Sequence, residues 1–187
     1  MDLDSYLIEQ KLKKDPDLLN FFNSFSSEVF DSGFLSKINK GIPDLKIKEV
    51  VNNNKNLAAY TRSRYTIYIN RPVFYRLKGE EKISILMHEF IHILQFKRIP
   101  EINRLSTDLW NFVNRYKLPE ASVSEVVLGK KFIKSKFMNK NEILPYLMNQ
   151  NFRWEKMKEG SKEELVNILQ RSRIFNLSSD FWKKKLE

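Results

Sequence analysis

The sequence predicts an α+β fold in which a small, twisted and mostly antiparallel sheet is followed by a long helix and a mainly helical C-terminal part. Apolar and polar residues alternate between positions 45 and 70, which is typical of half-buried strands. Residues 80–97 contain neither Gly nor Pro, and their apolar side chains recur every three or four positions, which indicates an amphipathic helix. We expect one domain over residues 1–187, divided into a helical segment at 1–44, the sheet and central helices at 45–135, and a helical part at 136–187.

Apolar residues at helical spacing also dominate the N-terminal segment. They predict one helix over residues 3–13 and another over 18–30, with Asp15 and Pro16 as the break between them. Gly33 and residues 41–43, which include a glycine and a proline, punctuate the chain before the first strand.

Two stretches predict the strands of the sheet. Leu45 and Ile47 alternate with polar residues, and the three asparagines at 52–54 favour a turn into a partner strand. Residues 57–70 hold the clearest strand pattern, because β-branched and aromatic residues alternate there. Only a short connection separates this strand from the helix at 80–97.

Helices are also expected in the last third of the chain. Residues 141–149 and 177–186 carry apolar side chains at helical spacing. Ser161 and Glu164 have the S-x-x-E spacing of a capping box, which predicts the start of a further helix. The large aromatic side chains of this part are expected to anchor the helices on the core.

Composition limits the class of protein. With 187 residues and 42% apolar side chains, the chain can bury a sizeable core. It has no cysteine, which excludes disulfides and thiolate metal ligands. No apolar run approaches the roughly 18 residues that span a bilayer, and the acidic start lacks the basic and apolar regions of a signal peptide. We therefore expect an intracellular, cytoplasmic protein without a membrane span.

The chain carries a surplus of basic residues, 33 against 23 acidic ones, which gives a net charge of +10. Such a charge makes nucleic acid a candidate partner. The lysines are nevertheless spread along the chain, with dense groups at 130–136 and 183–185. Solvated helix faces and a basic tail end explain the surplus without any partner.

The chain contains two histidines, which lie four positions apart in His88-Glu89-Phe90-Ile91-His92. Helical residues four apart lie nearly one above the other, so both imidazoles can reach a single metal ion. Glu89 points to a neighbouring part of the same face, where it can take a proton from metal-activated water. The motif alone leaves open the alternative that both histidines are ordinary polar residues of a half-buried helix.

The order of these elements resembles the zincin superfamily of metallopeptidases. A strand within residues 60–70 leads to the histidine helix at 86–95, and in zincins a small sheet is likewise followed by the metal-binding helix. The resemblance covers roughly residues 45–135, and its specific part is the HExxH pentapeptide. It implies zinc bound by His88 and His92, water activated by Glu89, and an edge strand to which an extended peptide can add.

The resemblance also implies a third protein ligand, since catalytic zinc usually has three protein ligands and one open position. No third histidine exists, so a carboxylate is expected, as in the gluzincin branch. Glu125 is the first choice, because Gly129 would let a helix that starts near Pro119 approach the histidine helix closely. Ser122, however, gives Glu125 the spacing of a capping box.

Other residues remain as alternatives for the ligand. Glu120 and Asp108 are the next candidates, whereas Glu101 follows the helix end too closely for the chain to bring it back. Spacing selects no residue to stabilise an oxyanion, although four side chains are chemically able to do so: Arg115, Tyr116, Tyr146 and Arg153.

Together these observations predict a zinc metallopeptidase that hydrolyses a polypeptide substrate with metal-activated water. A second hypothesis is a non-catalytic structural or interaction protein of a larger assembly, for example a viral or phage particle, that retains a zincin scaffold. A third is a protease that acts on proteins bound to nucleic acid and is localised by its charge. A site closed by four protein ligands would favour the second hypothesis, and salt-dependent DNA binding the third.

Overall fold

The computed structural model describes residues 13–14, 16–39, 45–62, 65–116, 126–127, 130–131, 140–148 and 159–186. Within these ranges the fold is α+β and mostly helical, which confirms the predicted class. The helices are α1 (Pro16–Val29), α2 (Ser32–Asn39), α3 (Arg71–Phe74), α4 (Gly79–Phe96), α5 (Pro100–Tyr116), α6 (Lys140–Leu147), α7 (Glu159–Ser172) and α8 (Asp180–Leu186). The strands are β1 (Lys13–Lys14), β2 (Lys46–Val50), β3 (Ala59–Thr61), β4 (Thr66–Asn70), β5 (Val126–Val127) and β6 (Lys130–Lys131). None of the described helices combines the length and the apolar content that crossing a bilayer requires.

A small mixed sheet forms the β part of the fold, with the strand order β1-β2-β4-β3. β2 and β4 run parallel, with Ile47 opposite Ile67, whereas β3 runs antiparallel to β4, with Thr61 opposite Ile67. β1 adds two residues antiparallel to β2. The expectation of a mostly antiparallel sheet is therefore right for the two outer pairs and wrong for the central pair.

The hairpin of β3 and β4 also differs from the sequence prediction. The sequence predicts one strand within residues 57–70 and a partner for β2 directly after the turn at 52–54. The structure divides this stretch into two strands, and β2 pairs with the second of them. Parallel strands cannot be joined by a tight turn, so β3 first reverses the chain and β4 then aligns with β2. This path leaves β3 at the edge of the sheet.

Helix α4 packs on β3, β4, α1, α5 and α6 and is central to the core. Leu86, Phe90 and Leu94 are buried on it, as the helical periodicity predicts. The ring of Phe90 meets the rings of Phe22 and Phe30 edge to face, with centroid distances of 5.1 Å and 5.5 Å. These apolar contacts set the rotation of α4 about its axis and therefore the direction of its polar side chains.

The N-terminal segment departs from the prediction in two places. Lys13 lies in β1 rather than at the end of a helix, and residues 3–12 of that predicted helix lie outside the described residues. The sequence pattern also misses α2, because Gly33 has the character of a helix breaker. Asp31 caps this helix, since its Oδ1 accepts a hydrogen bond from the Phe34 N–H at 3.0 Å.

A helix is expected from Pro119 to beyond Glu125, and this prediction is wrong at its C-terminal end. Val126–Val127 instead pairs antiparallel with Lys130–Lys131. The two β-branched valines favour the extended backbone of this strand. Residues 117–125, including Glu120 and Glu125, lie outside the described residues.

The C-terminal helices follow the prediction more closely. α6 and α8 confirm the helices expected within residues 141–149 and 177–186. α7 begins at Glu159, so Ser161 lies inside its first turn and is not the residue that caps it. Ser161 is 3% exposed and packs in the interior instead.

The loop between β2 and β3 is held by the side chain of Asn70, at the end of β4. Its Oδ1 accepts a hydrogen bond from the Asn52 N–H at 2.8 Å. Its Nδ2 donates to the carbonyl oxygens of Leu57 at 2.8 Å and Asn54 at 3.2 Å. Asn70 is fully buried, so solvent does not replace these bonds, and the loop delivers β3 to the sheet edge in a defined position.

Replacing Asn70 by Leu should lower the free energy of unfolding by about 3 kcal/mol or more, because leucine leaves buried backbone groups without their partners. Urea unfolding followed by circular dichroism measures this loss. Asn53 lies exposed in the same loop, and Asn53→Leu is the matched control, expected to change stability by less than about 0.5 kcal/mol. Equal losses in the two variants would contradict the role given to Asn70.

Candidate metal centre

The two histidines of α4 lie one helical turn apart on a half-buried face. Their Nε2 atoms are 3.2 Å apart, and the ring centroids are 5.0 Å apart. Two zinc ligands with bonds of about 2.0 Å and tetrahedral angles lie roughly 3.3 Å from one another. The imidazole nitrogens are therefore spaced as two ligands of one metal ion would be.

A carboxylate from another helix completes the cluster. Oε2 of Glu142, in the first turn of α6, lies 3.7 Å from Nε2 of His92. The ligand atoms of His88, His92 and Glu142 all lie within 4.8 Å of one another. Two imidazoles and one carboxylate make a donor set that could hold a divalent metal ion such as zinc.

The apolar residues of helix α6 explain how Glu142 comes to lie beside the histidines. Ile143, Leu144 and Leu147 are buried, so the helix packs by this side against α4 and α5. Glu142 precedes the apolar pair and remains partly exposed, with its side chain at 31% relative exposure. Packing of one face of α6 thus turns its first carboxylate toward the histidines.

Gln95 lies on α4 one turn after His92 and contacts both helices of the cluster. Its Oε1 lies 2.9 Å from Nδ1 of His92. Its Nε2 donates a hydrogen bond to the main-chain oxygen of Asn141 at 2.8 Å, and Asn141 is the residue before Glu142. One side chain therefore connects a histidine of the cluster to the segment that carries the carboxylate.

Glu89 follows His88 in sequence, and its carboxylate binds the edge strand β3. It is 9% exposed, and its Oε2 accepts a hydrogen bond from the hydroxyl of Thr61 at 2.7 Å. Thr61 is the last residue of β3. The Glu89 carboxylate thus binds Thr61, whereas the Glu142 carboxylate lies with the two imidazoles.

Tyr146 is the described oxyanion candidate that lies beside the cluster. Its ring packs edge to face on that of His88, with a centroid distance of 5.6 Å. Arg115 and Tyr116 instead bind the carboxylate of Glu164 on α7. Because the Tyr116 hydroxyl donates to this carboxylate, its pKa is raised above the ordinary value. Arg153 lies outside the described residues.

The carboxylates considered from the sequence fall elsewhere. Glu125 and Glu120 lie outside the described residues, so the choice of Glu125 stays a prediction. Asp108 is exposed on α5 and is not part of the cluster. Glu101 pairs with Lys37 of α2, and the hydrogen bond from Lys37 lowers the pKa of its carboxyl group.

Sequence reasoning missed Glu142. It lies 50 positions after His92, on a helix that the sequence predicts, but periodicity assigns that helix to the core and offers no sign of which helix returns to the histidines. The one signal in the sequence that could have found Glu142 is the lack of a third histidine. In a chain without a third histidine, every downstream carboxylate near the start of a predicted helix is a possible ligand.

No protein-family model, curated protein or solved structure matches this chain. The possible chemistry of the site is therefore argued from its residues and their distances. Two imidazoles and one carboxylate form a cluster, and a second, buried carboxylate follows His88 directly in sequence.

The cluster predicts that the protein binds about one zinc ion per chain, and that Glu142→Ala weakens binding by about 100-fold or more while His88→Ala and His92→Ala abolish it. Elemental analysis and competition with a chromogenic chelator measure stoichiometry and affinity. Asp108→Ala, an exposed carboxylate on α5, is the matched control and should bind zinc as the unmodified protein does. Loss of zinc in Glu125→Ala with full binding in Glu142→Ala would show that Glu125 is the third ligand.

Proposed function

We propose that the protein is a zincin-like, zinc-dependent metallopeptidase that hydrolyses peptide bonds. One observation carries the proposal: His88, His92 and Glu142 converge, while Glu89, directly after His88 on the same helix, is buried and accepts a hydrogen bond from Thr61. The HExxH pentapeptide that supplies three of these residues is the same arrangement used for this chemistry in metallopeptidases. The carboxylate from a later helix corresponds to a gluzincin-type ligand set.

In this proposal each residue has one task. His88, His92 and Glu142 would hold the zinc ion. A bound zinc ion would supply Lewis acidity, which polarises the scissile carbonyl group and lowers the pKa of water. Glu89 accepts the proton of the attacking water and later delivers it to the nitrogen of the leaving amine. Thr61 would hold the Glu89 carboxylate in a fixed orientation through its hydroxyl group.

The edge strand supports a polypeptide as the substrate. β3 pairs with β4 along one side, and no strand of the described part pairs with its other side. An extended peptide can add to such an edge through main-chain hydrogen bonds. Because Thr61 ends β3 and binds Glu89, a peptide on this edge would run past the proposed base.

Glu89→Gln should keep zinc affinity and lower the rate of peptide hydrolysis by about 10²- to 10⁴-fold, because an amide cannot accept the proton. A denatured protein and a peptide mixture, with products read by mass spectrometry, serve as substrates. A chelator should abolish cleavage by the unmodified protein, and added zinc should restore it. Undiminished hydrolysis in Glu89→Gln would contradict the role of Glu89, and bound zinc with no cleavage of any substrate would favour a structural protein.

Thr61→Val should lower kcat by about tenfold or more with zinc affinity unchanged, because it removes a hydrogen bond to a charged group worth about 1.5–3 kcal/mol. Thr61→Ser keeps the hydroxyl and should restore most of the rate, which separates the hydrogen bond from general packing of β3. A valine variant as active as the serine variant would rule out positioning of Glu89 by Thr61.

A further inference from the structure

The orientation of the Gln95 side chain follows from its two partners. A main-chain carbonyl oxygen only accepts hydrogen bonds, so the NH₂ group of Gln95 must face the oxygen of Asn141. The amide oxygen of Gln95 then faces Nδ1 of His92. An oxygen can only accept, so Nδ1 of His92 must carry the hydrogen. In the neutral ring, Nε2 of His92 is then left with the lone pair that a metal ion requires.

Pro145, four residues after Asn141, explains why the Asn141 carbonyl can accept a donor from outside its own helix. In a regular α-helix the main-chain oxygen of residue 141 would accept from the N–H of residue 145. Residue 145 is Pro145, which has no N–H and lies buried inside α6. The sequence thus removes the intrahelical donor at Asn141, and Gln95 supplies a donor from the neighbouring helix.

We propose that Gln95 is a positioning residue that couples the tautomer of His92 to the placement of α6, so that imidazole and Glu142 carboxylate are aligned before the metal binds. This inference rests on the proposed zinc site, and it assigns Gln95 a role that its place on the polar face of α4 did not specify. Pro145 has no N–H to donate to the Asn141 carbonyl, and Gln95 donates to that carbonyl from the neighbouring helix.

Nitrogen NMR of the histidine rings tests the coupling without any assay of activity. The chain has two histidines, so long-range proton–nitrogen spectra of the metal-free protein contain two sets of ring signals, and His92→Ala assigns them. In spectra recorded at a pH at which the rings are neutral, the nitrogen shifts distinguish the two tautomers directly. We expect His92 to be protonated on Nδ1 in the unmodified protein and to become a mixture of tautomers in Gln95→Met.

Zinc affinity gives the second readout. Gln95→Met removes both hydrogen bonds and should weaken zinc binding by about 10- to 100-fold, the usual effect of losing a partner of a ligand. Gln95→Glu keeps an acceptor for Nδ1 of His92, so it should preserve the tautomer and bind zinc more tightly than the methionine variant. Gln170→Met, at an exposed position of α7, is the matched control and should change neither readout.

Pro145→Ala tests the carbonyl half of the proposal. Alanine supplies an N–H to Asn141, so in the Gln95→Met background it should recover part of the lost thermal stability but should not restore the His92 tautomer. Recovery of the tautomer by Pro145→Ala would contradict the proposed division of roles.

The outcomes separate this inference from the proposed function. If the unmodified protein binds zinc but Gln95→Met has the same affinity and the same His92 tautomer, the positioning role is wrong and the metal site stands. If the tautomer responds to Gln95→Met but no variant binds zinc, the coupling is correct and the metallopeptidase proposal is wrong.

Discussion

Helix α4 can bury its apolar side against the sheet and α1 in only one rotation about its axis. Leu86, Phe90 and Leu94 occupy that side, and the ring contacts of Phe90 leave little freedom to turn. Consecutive helical residues are about 100° apart, so this rotation sends His88 toward α6 and Glu89 toward β3. A turn of one residue would separate the imidazoles from Glu142 and the second carboxylate from Thr61. The geometry of the site is therefore a consequence of core packing.

The two sides of the site are secured by different means. On the sheet side, Asn70 ties down the loop that precedes β3, and the Thr61 hydroxyl joins the end of that strand to Glu89. On the helical side, α6 is held by its buried apolar face and by the Gln95 amide. Each side thus combines apolar burial, which supplies free energy, with directed hydrogen bonds, which supply orientation.

The donor set reflects the composition of the chain. With no cysteine and two histidines, the chain offers a metal ion two imidazoles and otherwise oxygen ligands. Both histidines lie in the cluster. The lysine run of α8 has separate partners: Lys184 pairs with Glu80 of α4, and Lys185 lies over the ring of Phe181. The charged residues of α8 therefore lie at the surface, whereas the two histidines lie together in the candidate metal centre.

Local patterns determined the parts of this protein that depend on neighbouring residues. Helical spacing determined α4 and the buried positions on it, and the HExxH spacing alone placed His88 and His92 one turn apart with Glu89 beside them. The alternation of apolar and polar residues located strands within residues 45–70 but did not separate β3 from β4. A three-residue edge strand is recognised by its pairing with a neighbour, and the sequence pattern does not contain that pairing. Gly33 likewise concealed α2, since the capping contact of Asp31 is visible only in three dimensions.

Tertiary structure decided which distant residues meet. Glu142 reaches the histidines because α6 docks by its apolar face on α4 and α5, and that docking depends on shape and burial summed over several elements. The same docking pairs Gln95 with Asn141, and the return of β3 to the sheet edge pairs Thr61 with Glu89. The sequence by itself therefore determined the placement of His88, Glu89 and His92, because their spacing is a property of one helix. The approach of Glu142 and the supporting hydrogen bonds required the fold, because no local periodicity records which elements pack together.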